Sequence, residues 1–273
     1  MTQPLVVSFS GGRTSAFMSA QLIAYAKDRY DLHFVFMNTG LEHEKTLEYV
    51  NACDKYFGME LAWIETRVHH GMRKGSTYTP TTFQAAARSG EPYESVSAKY
   101  GVANHSFRHC TRELKTNPCR AWMREHNLAD AKIALGIRVD EFDRMSSDKR
   151  FIYPLISTWP TTKQQVLDWW AAMPFDLGLP EHLGNCVGCW KKSARKLALV
   201  AQEHPSAIEF FVRLEDSYGM VGPENVKGPD GQGRRSYRQH TKASDVLADT
   251  ERSLGSDEVP NACEESCEAF GDL

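Results

Sequence analysis

Residues 5–15 read Leu5-Val6-Val7-Ser8-Phe9-Ser10-Gly11-Gly12-Arg13-Thr14-Ser15. The apolar run Leu5–Val7 has the character of a buried strand. It breaks into glycines and hydroxyl residues, and a helix-periodic segment, Ala16-Phe17-Met18 through Leu22-Ile23, follows at once. A strand, a glycine turn and a helix start in this order make a cradle for an anion. The glycines let the backbone come close, the N–H groups point inward, and the helix dipole adds partial positive charge. An ordinary tight turn would also use a glycine at positive φ. Two adjacent glycines flanked by Ser8, Ser10, Thr14 and Ser15 favour phosphate, because the hydroxyls add donors. Ser8, Ser10, Gly11, Gly12, Thr14 and Ser15 are therefore the candidate phosphate-binding residues.

Outward from this loop the pattern alternates. Strands are expected at 5–9, 32–37 and 61–65, with helices at about 14–27 and 43–57 between them. That order implies an α/β fold, a doubly wound parallel sheet with right-handed crossovers. Ligands in such sheets bind outside the carboxyl ends of the strands, where Asn38-Thr39-Gly40 also falls. Residues 66–110 read as irregular. A helix is expected from Asn117 to His126, with Pro118 in its first turn, then a strand at 132–137 and an extended segment at 151–155. Thr161 or Thr162 should cap a helix over 163–172, and 191–218 reads as two more helices. From Gly219 the composition shifts to Gly, Pro, Asp and Arg. The organisation expected is a nucleotide-binding α/β domain over 1–190 and a small helical, cysteine-bearing region over 191–273 with a flexible tail.

No apolar run approaches the roughly 20 residues that span a bilayer, and no basic, then apolar leader precedes the glycine loop, so a cytoplasmic protein without membrane contact is expected. The net charge of −3 argues against a broad nucleic-acid surface while leaving room for a local basic groove. Seven cysteines without an export signal point away from a disulfide framework. Cys53 sits on an amphipathic helix and reads as a small buried apolar side chain. Cys186-Val187-Gly188-Cys189 is different: two thiolates so spaced can hold a metal or cluster from a single turn. Cys110 and Cys119 stand nine residues apart, and Cys263 and Cys267 are separated by three residues. This scatter suits an iron–sulfur cubane better than zinc, which favours two close pairs.

The spacing around Gly11 fits neither a Walker A loop nor the G-x-G-x-x-G fingerprint. Ser10-Gly11-Gly12-Arg13-Thr14-Ser15 instead resembles the SGGxTS loop of the PP-loop ATP pyrophosphatases, whose close relatives are the 3′-phosphoadenylylsulfate (PAPS) reductases. Cys110-Thr111 with Leu114-Lys115 and Pro118 resembles the CT-x-x-LK-x-x-P segment of the PAPS reductase-like family. Asn38-Thr39-Gly40 with Glu44 and Thr46 is similar to its second segment. Gly136-Ile137-Arg138 with Asp140-Glu141 and Arg144 is similar to its GIR-x-DE…R segment, and Tyr153-Pro154-Leu155 also fits. The group includes sulfurtransferase subunits of DNA phosphorothioation systems and phage-borne homologues, and Cys263-Glu264-Glu265-Ser266-Cys267 resembles the tail of that phage branch.

The resemblance implies a Rossmann-like sheet of the adenine nucleotide alpha hydrolase type. It implies that Thr39, Gly40 and Gly136 flank the nucleotide, and that Arg138, Lys115 and Asp140 act on it. A planar guanidinium such as Arg138 can bind two phosphate oxygens, although Asp140 or Glu141 could equally hold it in an ion pair. Lys115 would reach the phosphates as a point charge. Asp140 or Glu141 could hold Mg²⁺ between phosphate oxygens. The cluster ligands implied are Cys110, Cys186, Cys189 and Cys267, with Cys263 and Cys119 as alternatives for the fourth. The chain lacks the Glu-Cys-Gly nucleophile of the reductases and the adjacent Cys-Cys of cluster-bearing adenylylsulfate reductases. The activity implied is ATP-dependent adenylylation and sulfur transfer. A sulfonucleotide reductase and a non-catalytic nucleotide-binding redox sensor stand as alternatives, as does a zinc-stabilised nucleic-acid binder using Arg234, Arg235 and Arg238. Besides the adenine nucleotide, the partners in view are a nucleic acid or a sulfur-donor protein.

Overall fold

The computed structural model describes residues 2–71, 74–222, 236–238 and 241–249. In chain order the elements are β1 (Gln3–Phe9), α1 (Arg13–Tyr25), β2 (Tyr30–Asn38), α2 (Glu44–Phe57), β3 (Ala62–Arg67), β4 (Thr77–Thr81) and α3 (Glu91–Tyr100). Then come α4 (His109–Thr111), a π-helical turn (Arg112–Thr116), α5 (Asn117–Glu125), β5 (Lys132–Ala134), a 3₁₀ turn (Val139–Arg144), β6 (Phe151–Ile152), α6 (Pro154–Ser157), α7 (Lys163–Ala171), α8 (Ala194–Glu203), α9 (Pro205–Tyr218) and α10 (Ala243–Ala248).

The sheet has six strands in the order β4-β3-β2-β1-β5-β6. All neighbours pair in parallel except β3 with β4. It is Rossmann-like, and the expected α/β class holds. Its central strands are buried on both faces, which is why they read as continuous apolar runs. Leu5, Val7 and Phe9 of β1 with Phe34 and Phe36 of β2 face a core closed by α1, α2 and Trp170 of α7. Val6, Val35 and Met37 face the opposite core, closed by Trp122 and Met123 of α5. A third core joins Tyr93 and Val96 of α3 to helices α8 and α9, and it contains Cys110, Val187 and Trp190.

Several sequence expectations need correction. Residues 66–110 are not irregular: they hold β4 and α3. β4 escapes notice because Thr77-Tyr78-Thr79-Pro80-Thr81 carries a proline, which only an edge strand tolerates. α3 buries a narrow face, Tyr93, Val96 and the polar Ser97, behind a first-turn proline. The helical stretch expected from Asn117 begins at His109. Pro118 is in the first turn of α5, but the chain before it is already helical. In an α-helix its ring would strike the carbonyl of Leu114, and the π turn widens the rod there, with Asn117 N–H bonding Arg112 O. The strand expected at 132–137 pairs only over Lys132–Ala134, and the segment expected to be extended over 151–155 turns helical at Pro154. Of the two threonines proposed as a cap, Thr162 caps α7, accepting from Gln165 N–H.

Candidate functional site

The strand order reverses at β1, with β2 on one side and β5 on the other. Loops leaving the carboxyl ends of β1 and β5 therefore frame a crevice at the switch point. Gly11 turns the first loop at φ +80°, and a Cβ there would stand 3.1 Å from Thr46 and from Val50. Gly12 begins α1 with no side chain capping it, so the first-turn N–H groups have no side-chain acceptor. Ser15 Oγ holds the loop's shape: it accepts from Ser10 N–H (3.2 Å) and Ser10 Oγ (3.0 Å) and donates to Gly12 O (3.0 Å). Outside the loop, Arg13 forks onto Asp176 (2.6 and 2.5 Å), and Trp170 Nε1 donates to Arg13 O (3.0 Å).

The β5 loop meets this turn directly. A Cβ on Gly136 would lie 3.1 Å from Ser15 Cα, tight enough that a side chain there would have to push the two loops apart by a few tenths of an ångström. Arg138, only 8% exposed, donates from Nη1 to Thr14 Oγ1 (2.8 Å) and is gripped by Asp140 (2.9 Å) and Glu141 (3.1 Å). It reaches the cradle and is ion-paired at once. Burial pushes the Asp140 carboxyl up, but the Arg138 hydrogen bonds and charge outweigh it and leave it below the ordinary value. Glu141 also takes Arg144 (2.5 Å). Ser10, Gly12, Thr14, Gly136, Arg138 and Glu141 share one crevice of about 200 Å³, while Asp140 holds Arg138 and accepts Lys163 N–H (3.2 Å).

Behind the crevice lies a smaller cavity, and Ser10 and Asn185 line both. Its walls include Ser8, Glu42 and Lys115. Ser8 Oγ is buried there without a hydrogen-bond partner. Glu42 accepts from Thr39 N–H (3.0 Å) and Thr39 Oγ1 (2.7 Å). Burial raises its carboxyl above the ordinary value, with the Lys115 charge pulling the other way. Lys115 sits on the π turn, whose shape Glu113 secures by accepting from Ser76 (2.6 Å), Arg112 (2.7 Å) and Asn117 (3.3 Å).

Lys115 also lines a third cavity, walled by Cys110, Cys186, Cys189, Tyr93 and Trp190. All three thiols are buried. Thr39 Oγ1 lies 3.2 Å from Cys186 Sγ, and Glu42 pairs with Cys186 as an isolated antiparallel bridge. Asn185 turns into the thiol loop at φ 56°, a conformation asparagine tolerates. Trp190 Nε1 is a buried donor without an acceptor. Burial, with the three thiols around it, pushes the Tyr93 phenol well above its ordinary value. Cys119 points elsewhere, into the α5 core, where burial raises its thiol to about 12. Gly40, at φ +79°, packs on Pro92 and Gly90. Cys263, Cys267, Arg234 and Arg235 lie outside the described residues. Among the described residues, no three His, Cys, Asp or Glu side chains form a group that could hold a metal ion, and no helix is long and apolar enough to cross a membrane.

Sequence reasoning did not single out Glu42, Tyr93 or Trp190. A glutamate in a loop looks solvated, and an aromatic at helical spacing looks like ordinary core. Only the convergence of distant segments distinguishes them.

A family model for the phosphoadenosine phosphosulfate reductase domain matches residues 4–153. The chain is 32% identical over 278 residues to the uncharacterized nin region protein ORF290 of Escherichia phage lambda, covering 97% of this chain and 95% of that one. It is 26% identical over 149 residues to the uncharacterized protein MJ0066 of Methanocaldococcus jannaschii, 54% of this chain and 25% of the relative. The matched span runs from β1 through the glycine loop and the Cys110–Lys115 turn to Arg138 and β6, so the crevice loops and the family coincide: the chain belongs to the phosphoadenosine phosphosulfate reductase domain family.

Proposed function

We propose that the chain binds ATP with its phosphates in the Gly11–Gly12 cradle and adenylylates an acceptor that then receives sulfur, next to an iron–sulfur cluster held by Cys110, Cys186, Cys189 and Cys267. The observation that carries this reading is the linked run of cavities. Ser10 and Asn185 join the crevice to the Ser8 cavity, and Lys115 joins that cavity to the three thiols.

The donor set fits a thiolate-bound cluster. A single zinc ion draws its thiolates to roughly 4 Å of one another at a Zn–S bond of about 2.3 Å. A multi-iron cluster spreads them wider, and the three buried thiols that line one cavity would supply its first ligands. When bound, such a cluster supplies a site for holding or orienting sulfur. Lys115, between cradle and thiols, would neutralise phosphate charge on one side and thiolate charge on the other. Arg138 would bind oxygens of the leaving pyrophosphate. Asp140 or Glu141, both paired with Arg138, would have to release that pairing to hold Mg²⁺ against the phosphates. An acceptor oxygen attacks the α-phosphorus and pyrophosphate leaves. A sulfur nucleophile then displaces AMP, its sulfur taking the place of that oxygen.

The test is anaerobic purification with iron, sulfide and zinc analysis, alongside pyrophosphate release from ATP. Iron with acid-labile sulfide, lost in Cys110→Ser and Cys186→Ser, is the expected result. Stoichiometric zinc without sulfide overturns the cluster, and sulfite release from an adenylylated sulfate with a thiol reductant replaces transfer by reduction.

A further inference from the structure

A separate cavity, of about 150 Å³, lies at the opposite end of the sheet from the crevice. It opens at the amino ends of β5 and β6, where Ile133 pairs with Phe151, whereas the crevice is built on loops that leave the carboxyl ends. Its floor is apolar: Met123 of α5, Ile133 of β5 and Phe151 of β6 belong to the core beneath it. Its rim carries three arginines, Arg120 and Arg124 of α5 and Arg150 at the entry to β6, and no carboxylate lines it among the described residues. A cavity of this volume takes about one benzene-sized group.

Three guanidinium groups around one hollow repel one another. Arg120 and Arg124 are four residues apart on α5, so they share a helix face, where like charges are destabilising. Arg124 in the last turn suits the helix dipole, but the dipole does not account for Arg120 or Arg150. One carboxylate answers them: Asp148 accepts from Arg150 Nε (3.0 Å) and Nη2 (2.6 Å). Arg150 chiefly, with the Arg120 charge adding to it, pulls the Asp148 carboxyl down to about 2. Glu125, next to Arg124 in the chain, is engaged by the Tyr78 hydroxyl instead. Among the described residues Arg124 makes no ion pair, so the rim keeps an excess of positive charge above an apolar floor.

We propose that this cavity is a second ligand site, for an organic anion with an apolar body of about one ring. The body enters over Met123, Ile133 and Phe151, and its charged group stays at the mouth beside Arg124 and Arg150. A planar guanidinium fork matches a carboxylate or a phosphate, and Asp148 on Arg150 already shows how a carboxylate meets this rim. The two charged groups are one chemistry from two sources. The site stands whatever the crevice at the other end of the sheet binds.

Amide chemical-shift titration of the full chain tests this, with phenylacetate, phenyl phosphate, the neutral benzyl alcohol and inorganic phosphate as probes. Phenylacetate or phenyl phosphate is expected to shift amides over 120–133 and 150–151, and to bind more tightly than benzyl alcohol or inorganic phosphate. The tighter of the two aromatic anions assigns the charged group as carboxylate or phosphate. Arg124→Gln should weaken that anion by about two- to fivefold, the scale of an exposed ion pair, and leave benzyl alcohol unchanged. Ala129 is exposed at the cavity wall, and Ala129→Leu, which fills the space, should abolish the shifts without lowering the melting temperature. The inference is overturned if neither aromatic anion shifts those amides at about 10 mM, tenfold above a millimolar affinity. It is overturned equally if benzyl alcohol or inorganic phosphate binds as tightly, or if Arg124→Gln binds the anions as the wild type does. Shifts confined to the glycine loop also overturn it, because they place the anion in the crevice instead.

Discussion

Arg138 joins two jobs that a sequence separates. Its Nη1 bonds Thr14 at the cradle, while Asp140 and Glu141 hold the guanidinium in place. Arg138→Lys keeps the charge but loses the fork, so pyrophosphate release should fall by about 10²-fold, the scale of one lost transition-state donor, while ATP affinity changes little. Steady-state kinetics set against calorimetry checks the split, and unchanged turnover removes Arg138 from the mechanism. Gly136 makes a sharper steric case. A methyl group at that position would stand 3.1 Å from Ser15 Cα, so Gly136→Ala forces the β5 loop off the start of α1. Overpacking of this kind costs about 1–3 kcal/mol, read as a lowered melting temperature, and nucleotide binding should weaken in parallel.

At the scale of elements, the π turn is the part of the helical rod that sets Lys115. Pro118 imposes it, so Pro118→Ala should let the rod relax toward regular α-helix and turn Lys115 away from the two cavities it lines. The expected signature is lost turnover with no fall in melting temperature; lost stability with intact turnover would refute it. The outer side of the glycine loop depends on Arg13 and Asp176. The Arg13 hydrogen bonds hold the Asp176 carboxyl below its ordinary value of 3.8, so this clamp is in place above the ordinary carboxylate range. It is lost as pH falls through the lowered value, when the folded protein takes up the proton. Asp176→Asn should therefore lower the melting temperature at pH 7, and the difference should shrink as pH falls below the ordinary carboxylate value.

Across the whole molecule, the thiol loop is held by segments far from it in sequence. Tyr237, fully buried, donates from its hydroxyl to Gly188 O (2.5 Å), and its own N–H bonds Glu215 (2.6 Å). A Cβ on Gly188 would meet Ala207 O at 2.6 Å, so α9 presses on the same turn. Tyr237→Phe removes one buried hydrogen bond and should cost roughly 1 kcal/mol, with faster amide exchange at 186–189. Protection unchanged at those amides would show that α9 alone holds the turn.

The amino-acid order by itself determined the strand, glycine loop and helix of the first sixty residues. There each element is long, periodic and bounded by turn residues, and burial on both faces of a parallel sheet writes itself as an unbroken apolar run. It also marked Arg138, Lys115 and the Cys186/Cys189 pair as chemistry-bearing. It missed β4 and α3, because an edge strand containing Pro80 and a helix with a narrow apolar face carry too little periodicity. Only the tertiary structure decided that Cys119 faces the core whereas Cys110 joins the thiol pair, and that Glu42 stands against Cys186. Which direction a helical cysteine points depends on helices packed from elsewhere in the chain, and local sequence carries no record of those.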